Sequence, residues 1–163
     1  VKTSFGDLPE DAQQLLTKHL RIDFSMCDFK APRWFSTWIR NDAGYITGIF
    51  AIEFPFWFEG RVTVLVLDVR GISRRLLRAT YMAAFSRARR LTAEVEPGNR
   101  RAIRQVQMMG FQYEGYRRLG LEGTRDTLVY GMLREDCKYL PGYEGPTVTA
   151  SPAPPAGIYE RVH

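Results

Sequence analysis

Val95-Glu96-Pro97-Gly98-Asn99-Arg100-Arg101-Ala102-Ile103, completed by Met109-Gly110-Phe111, is the stretch that decides the fold. Residues 91–96 read as a short strand. Asn99 supplies a helix N-cap, its side-chain oxygen placed to accept from an amide of the first turn. Ala102, Ile103, Val106 and Met109 come next as the inward positions of that helix. Gly110 stops it. Residues 111–119 and 127–133 then read as two closing strands.

Upstream, Leu76, Leu77, Thr80, Tyr81, Ala84, Phe85 and Ala88 form one helical face, with Arg74, Arg75, Arg78 and Arg89 mostly turned away from it. Three strand candidates precede that helix. Residues 33–40 are aromatic-rich, and Asn41-Asp42-Ala43-Gly44 is a turn leading into residues 45–54. Pro55 predicts a bulge or strand end. Glu59-Gly60 is a second turn, and residues 61–69 are a β-branched run long enough for a buried strand. At the start, Asp7-Leu8-Pro9-Glu10 predicts a helix capped by Asp7 with Glu10 as its capping-box partner, running to about Arg21. The order is helix, three strands, helix, strand, helix, two strands: an α+β (or α/β) single domain over residues 1–138. From Tyr139 the composition turns to Pro and Gly, and residues 139–163 are expected to form an extended tail, held by its own domain or a neighbouring subunit.

The bulk composition leaves function open. The chain has 163 residues, room for one domain with a proper core. Its formal charge is +5, and 19 of its 23 basic residues are Arg, whose planar donor fork suits carboxylate and phosphate. Such a chain points to a phosphate ligand, a nucleic acid, an acidic protein surface, or simply a solvated basic face. Cys27 and Cys137 are far apart and outside any C-x-x-C pattern, so a reducing compartment is expected. His19 and His163 show no metal-ligand spacing, and no metal is expected. The most apolar run, residues 48–58, is too short to cross a bilayer and carries Glu53. No signal peptide is expected, and the protein is read as soluble, cytoplasmic or carried within a virus particle.

The stretch from Leu91 to Cys137, with Val95 to Phe111 at its centre, resembles the second half of the GNAT superfamily of acyl-CoA N-acyltransferases. The family pattern runs strand, Asn cap, small residue three on, then Gly-Phe closing the helix, and Asn99, Ala102 and Gly110-Phe111 match it. Gln112-Tyr113-Glu114-Gly115-Tyr116-Arg117 and Tyr130-Gly131-Met132-Leu133-Arg134-Glu135-Asp136 are similar to the family's closing strands beyond that helix. The subgroup most similar acetylates protein N-termini and antibiotic-like amines. The resemblance implies a mixed, mostly antiparallel sheet with flanking helices. It also implies a splayed parallel pair, strands 61–69 and 91–96, that admits the pantetheine arm of acetyl-CoA.

The same resemblance places the phosphate cradle at Arg70-Gly71-Ile72-Ser73-Arg74-Arg75, directly after Val69. The family writes it Arg/Gln-Gly-x-Gly-x-Gly/Ala, so that bare amides at a helix N-terminus grip pyrophosphate. Here Ser73 and Arg75 replace the second and third small residues. Two readings are open. Either Ser73 caps the helix while Arg70, Arg74 and Arg75 face the phosphates, or the cradle is degenerate and the arginines pair with Asp68, Glu94 or a partner. Cofactor-binding candidates are therefore Val69, Arg70, Gly71, Ser73, Arg74, Arg75 and Asn99.

Catalytic candidates are Glu53 and Glu94 as general bases, alongside Asp68 and Glu96, with Tyr116 or else Tyr113 as general acid. The family's usual tyrosine is replaced by Val106. Three readings result. The first is an acetyl-CoA-dependent transfer of an acyl group to a primary amine. The second is a catalytically degenerate GNAT-fold structural or assembly subunit anchored by its Pro-rich tail, as in a bacteriophage virion; the sequence has a similar look to the GNAT-like proteins that some tailed phages carry. The third, nucleic-acid binding, rests on Arg content alone and is ranked last.

Overall fold

A computed structural model describes residues 2–22, 24 and 27–143. The chain forms two compact units, Val1–Ala88 and Arg89–His163.

The first unit contains β1 (Lys2–Gly6), α1 (Glu10–Leu20), β2 (Trp34–Arg40), β3 (Ile46–Phe56), β4 (Glu59–Val66), a 3-10 turn at Val69–Gly71, and α2 (Arg74–Phe85). Its strands pair antiparallel in chain order. β1 has no apolar alternation to mark it in the sequence, being exposed at all but one position. It forms because β2 offers an edge, with Lys2 opposite Arg40 and Gly6 opposite Ser36.

On one sheet face Leu8 and, from α1, Ala12 and Leu16 are buried in one cluster with Ile49, Ala51 and Leu65. The expected Asp7 cap does not form. Pro9 is itself the N-cap, extended at φ −69° and ψ 155°, with no side-chain bond; Asp7 therefore lies two positions too early to reach the first amides. β3 continues through Pro55 to Phe56, and a register shift between Glu53 and Phe56 takes up the missing donor. α2 starts and ends on the face opposite α1. Just before it, Gly71 lies against Ile39; just after it, the Arg87 guanidinium sits 4.1 Å from the centre of the Phe54 ring. Between these ends Leu76, Leu77, Thr80, Tyr81, Ala84 and Phe85 are buried.

The second unit holds β5 (Arg90–Val95), α3 (Arg100–Met108), β6 (Gln112–Leu121) and β7 (Arg125–Leu133). β7 lies between the other two strands, antiparallel to both. Leu91, Ala93, Val95, Leu128, Tyr130 and Met132 form the buried face, where α3 contributes Ile103 and Val106. The other face is a polar ladder. Arg90 pairs with Glu114, Glu94 with Arg117 at 2.8 Å, and Glu96 with Arg125 at 2.6 Å.

Two glycines make room for this ladder. A methyl group on Gly131 would overlap Glu114 Oε1, and one on Gly120 would overlap Thr127 Oγ1. Glu114 is half-exposed at the end of a flexible side chain, so it can swing away. Thr127 is fully buried and cannot. Gly120→Ala is therefore expected to cost about 1–3 kcal/mol, as overpacking does. Gly131→Ala should cost less than about 1 kcal/mol, the value of the exposed pair it displaces. Urea unfolding of the two variants checks the order.

Among the described residues no helix is long and apolar enough to cross a membrane, and no group of His, Cys, Asp and Glu is arranged to hold a metal ion. The chain after β7 folds back on α3: Lys138 Nζ donates to Met108 O at 3.0 Å, and Tyr139 Oη donates to the same carbonyl at 3.3 Å. The Pro-rich stretch expected beyond this point, residues 144–163, lies outside the described residues.

Candidate functional site

β4 ends at Val66, earlier than the sequence suggests, because the amides of Leu67 and Asp68 both turn to the carbonyl of Thr47. That turn leaves Asp68 as the N-cap of the 3-10 turn. Its carboxylate accepts from the Arg70 amide at 3.0 Å and from the Arg70 guanidinium at 2.6 Å. Arg70 is thus folded back along its own loop, and Val69 beside it is exposed. Gly71 also serves packing. The position its side chain would occupy is 3.0 Å from Ile39 Cγ2 and 3.3 Å from Thr47 Oγ1, so the missing Cβ admits the sheet.

Ser73 is the N-cap of α2. Its hydroxyl accepts from the Leu76 amide at 3.1 Å and its carbonyl from the Leu77 amide at 3.0 Å. The amides of Arg74 and Arg75 are left at the mouth of the helix. Both arginine side chains are exposed, and neither pairs with a carboxylate among the described residues. The first turn of α2 holds no acidic residue. Two cations at the positive end of a helix dipole are unfavourable by ~0.3–1 kcal/mol each.

The Arg70–Asp68 contact has a measurable consequence. Hydrogen bonds from the Arg70 side chain, and then from its amide, hold the Asp68 carboxyl at about 2. The folded value lies below the unfolded one, so this pairing stabilises fully above the unfolded carboxylate range near 4. It is lost as pH falls through about 2. An NMR titration should place the Asp68 midpoint near 2. In Arg70→Ala the midpoint should rise but stay depressed, since the backbone donor remains.

The catalytic candidates are each engaged by the surrounding protein. Glu53 lies on β3, six residues along from Thr47, a run of about 20 Å at strand spacing. It forms an ion pair with Arg33 at 3.6 Å. Glu94 accepts from Arg117 at 2.8 Å and from Thr127 Oγ1 at 2.9 Å. The Tyr116 hydroxyl donates to Asp126, which also accepts from the Leu119 amide at 2.9 Å. These bonds, with a contribution from Arg118, hold the Asp126 carboxyl below its usual range. They brace a register shift between Arg117 and Leu121, within which Leu119 takes a φ of 50°.

Asn99 caps α3 as expected, Oδ1 accepting from the Ala102 amide at 3.0 Å. Val106 is buried on the inner face of that helix. The sequence did not flag Thr47, Ile39 or Asp126. Asp126 lies ten residues from its Tyr116 partner and meets it only because β6 and β7 are antiparallel neighbours.

No protein-family model matches the chain, and no curated protein does. Solved structures do match. Spermidine N-acetyltransferase from Vibrio cholerae, in complex with CoA and spermine, is similar at a TM-score of 0.61 and 10% identity over 82% of this chain and 96% of that one. A mutant of the same enzyme matches at a TM-score of 0.62 and 13% identity over 84% and 95%. A nourseothricin acetyltransferase matches at a TM-score of 0.54 and 24% identity, over 63% of this chain and 66% of that one, just under two thirds of its length. At these identities the likeness speaks for the fold.

Proposed function

We propose that this chain, which has the GNAT fold, binds an acyl-CoA and transfers its acyl group to a primary amine. The observation that supports this most is the mouth of α2. Arg74 and Arg75 stand without a carboxylate partner among the described residues, at a helix end whose dipole disfavours them, capped by a serine that leaves two amides facing outward. A bound anion reverses that balance. Those amides and guanidinium groups suit a pyrophosphate.

The cradle differs from the family pattern in how it holds charge. The open side of Gly71 faces the sheet and the Arg70 guanidinium is engaged by Asp68, so both already serve the fold. The duty of binding falls to Ser73, Arg74 and Arg75. Side-chain guanidinium groups replace the bare glycine backbone. The acyl-CoA supplies a thioester, an acyl donor already activated toward amines.

Neither Glu53 nor Glu94 is offered to an amine without first leaving an arginine, and Tyr116 is committed to Asp126. We assign no general base on this ground. In the transfer the neutral amine attacks the thioester carbonyl, and the C–N bond forms as the C–S bond breaks. CoA departs as its thiolate, and the nitrogen's proton passes to it through water. Holding amine and thioester together can account for a large share of such a barrier.

Calorimetric titration with acetyl-CoA tests the binding step. Saturable heat, with a matching thermal shift, is the expected result; no heat and no shift at millimolar acetyl-CoA would sink the proposal. With binding established, a mass increase on amine substrates incubated with acetyl-CoA tests transfer.

A further inference from the structure

The hairpin between β3 and β4 turns on Trp57 and Phe58, with Phe56 paired to Glu59 across it. Two-residue hairpin turns ordinarily use Gly, Asn or Asp, which tolerate positive φ. Neither Trp57 nor Phe58 has a positive φ. The backbone of the turn therefore does not call for these residue types, and it displays three aromatic rings. Phe56, Trp57 and Phe58 are 54%, 74% and 43% exposed. They are also ordered against one another. Phe56 and Phe58 stack in parallel with centroids 5.5 Å apart, and Trp57 meets Phe58 edge-on at 5.5 Å. Such rings present a large, rigid apolar surface that loses little conformational freedom on binding.

The chain also carries a segment of matching chemistry. Residues 151–155 read Ser-Pro-Ala-Pro-Pro and include a P-x-x-P spacing. Segments of this kind bind aromatic surfaces as preformed polyproline helices, with proline rings lying on aromatic faces. The last described residue is Tyr143, so seven residues, 144–150, separate it from that segment. A lipid surface suits the tip less well, because the residue that directly follows it in the sequence, Glu59, is acidic.

We propose that the Phe56-Trp57-Phe58 tip is a docking surface for residues 151–155 of a second copy of this chain. The inference is independent of acyl-CoA binding, which should be the same in every variant below.

Sedimentation velocity over a range of concentrations is the test. The full chain should associate as concentration rises. A chain ending at Tyr143 and the Trp57→Ala variant should both stay monomeric. A fluorescein-labelled synthetic peptide of residues 148–158, titrated with the truncated chain, should gain fluorescence anisotropy, with affinity at least tenfold weaker for Trp57→Ala. The same peptide with Pro152, Pro154 and Pro155 replaced by Ala should not bind. Trp57 is largely exposed, so its removal should leave folding intact, which the acetyl-CoA titration and circular dichroism check. Association unchanged by truncation or by Trp57→Ala would overturn the proposal. So would a peptide that does not bind. Peptide binding in a full chain that stays monomeric at every concentration would mean the segment does not join copies. Binding of the tip to phosphatidylserine vesicles but not to the peptide would assign it to a membrane instead.

Discussion

Replacing Arg74 and Arg75 together by glutamate should lower the affinity for acetyl-CoA at least a hundredfold while leaving the thermal midpoint unchanged or raised. The two effects have opposite signs because the same helix end governs both. Each arginine would donate a charge-assisted hydrogen bond to a phosphate, worth roughly 1.5–3 kcal/mol. Losing two removes about 3 kcal/mol or more, which is a hundredfold or greater in affinity. Reversal adds repulsion to that loss. For folding, the first turn of α2 has no acidic residue now, and carboxylates there are favoured by ~0.3–1 kcal/mol each. Calorimetry and thermal unfolding on one sample separate the outcomes. A variant that loses both binding and stability would show that the arginines serve the fold. A variant that keeps its affinity would leave the cradle without a ligand.

The parts of this site that sequence could disclose are those set by neighbouring residues. Asn99 and Ala102 are three apart, so the α3 cap arises from local geometry. Gly110 takes a φ of 102° to end that helix, a demand that only the residue type reveals. Ser73 could be read as a cap for the same reason. The parts it hid depend on register. Glu94 meets Arg117 and Thr127 only once β5, β6 and β7 are aligned. Tyr116 reaches Asp126 across a bulge in which Leu119, a non-glycine, holds a positive φ.

The cradle shows both cases in one loop. Arg70-Gly71 has the family's letters, but Asp68 draws the arginine back, and Ile39 and Thr47 explain the glycine. The pairing with Asp68 was one of the two readings the sequence left open, and the exposed Arg74 and Arg75 belong to the other. A motif records residue types, whereas a partner two residues away decides where a side chain points.

The second large effect belongs to the core of the second unit. Leu128→Ala should destabilise by about 2–5 kcal/mol, read as a lowered urea midpoint with an unchanged slope. Leu128 is fully buried on β7, the middle strand, opposite Val95 on one side and Tyr116 on the other. Truncation leaves a cavity that two flanking strands cannot both close without breaking register. Such a loss is a large part of the roughly 5–15 kcal/mol that holds a typical domain. The opposite face of the same sheet offers the comparison. Glu94→Gln removes a partly exposed ion pair and keeps the shape, so its stability cost should stay near ~1 kcal/mol or below. Turnover by Glu94→Gln then becomes interpretable. If the protein is an acyltransferase and Glu94 is a strut of the ladder, kcat should remain within about threefold of the parent. Loss of turnover without loss of stability would instead return Glu94 to the role of general base, free to leave Arg117 when the substrate amine arrives.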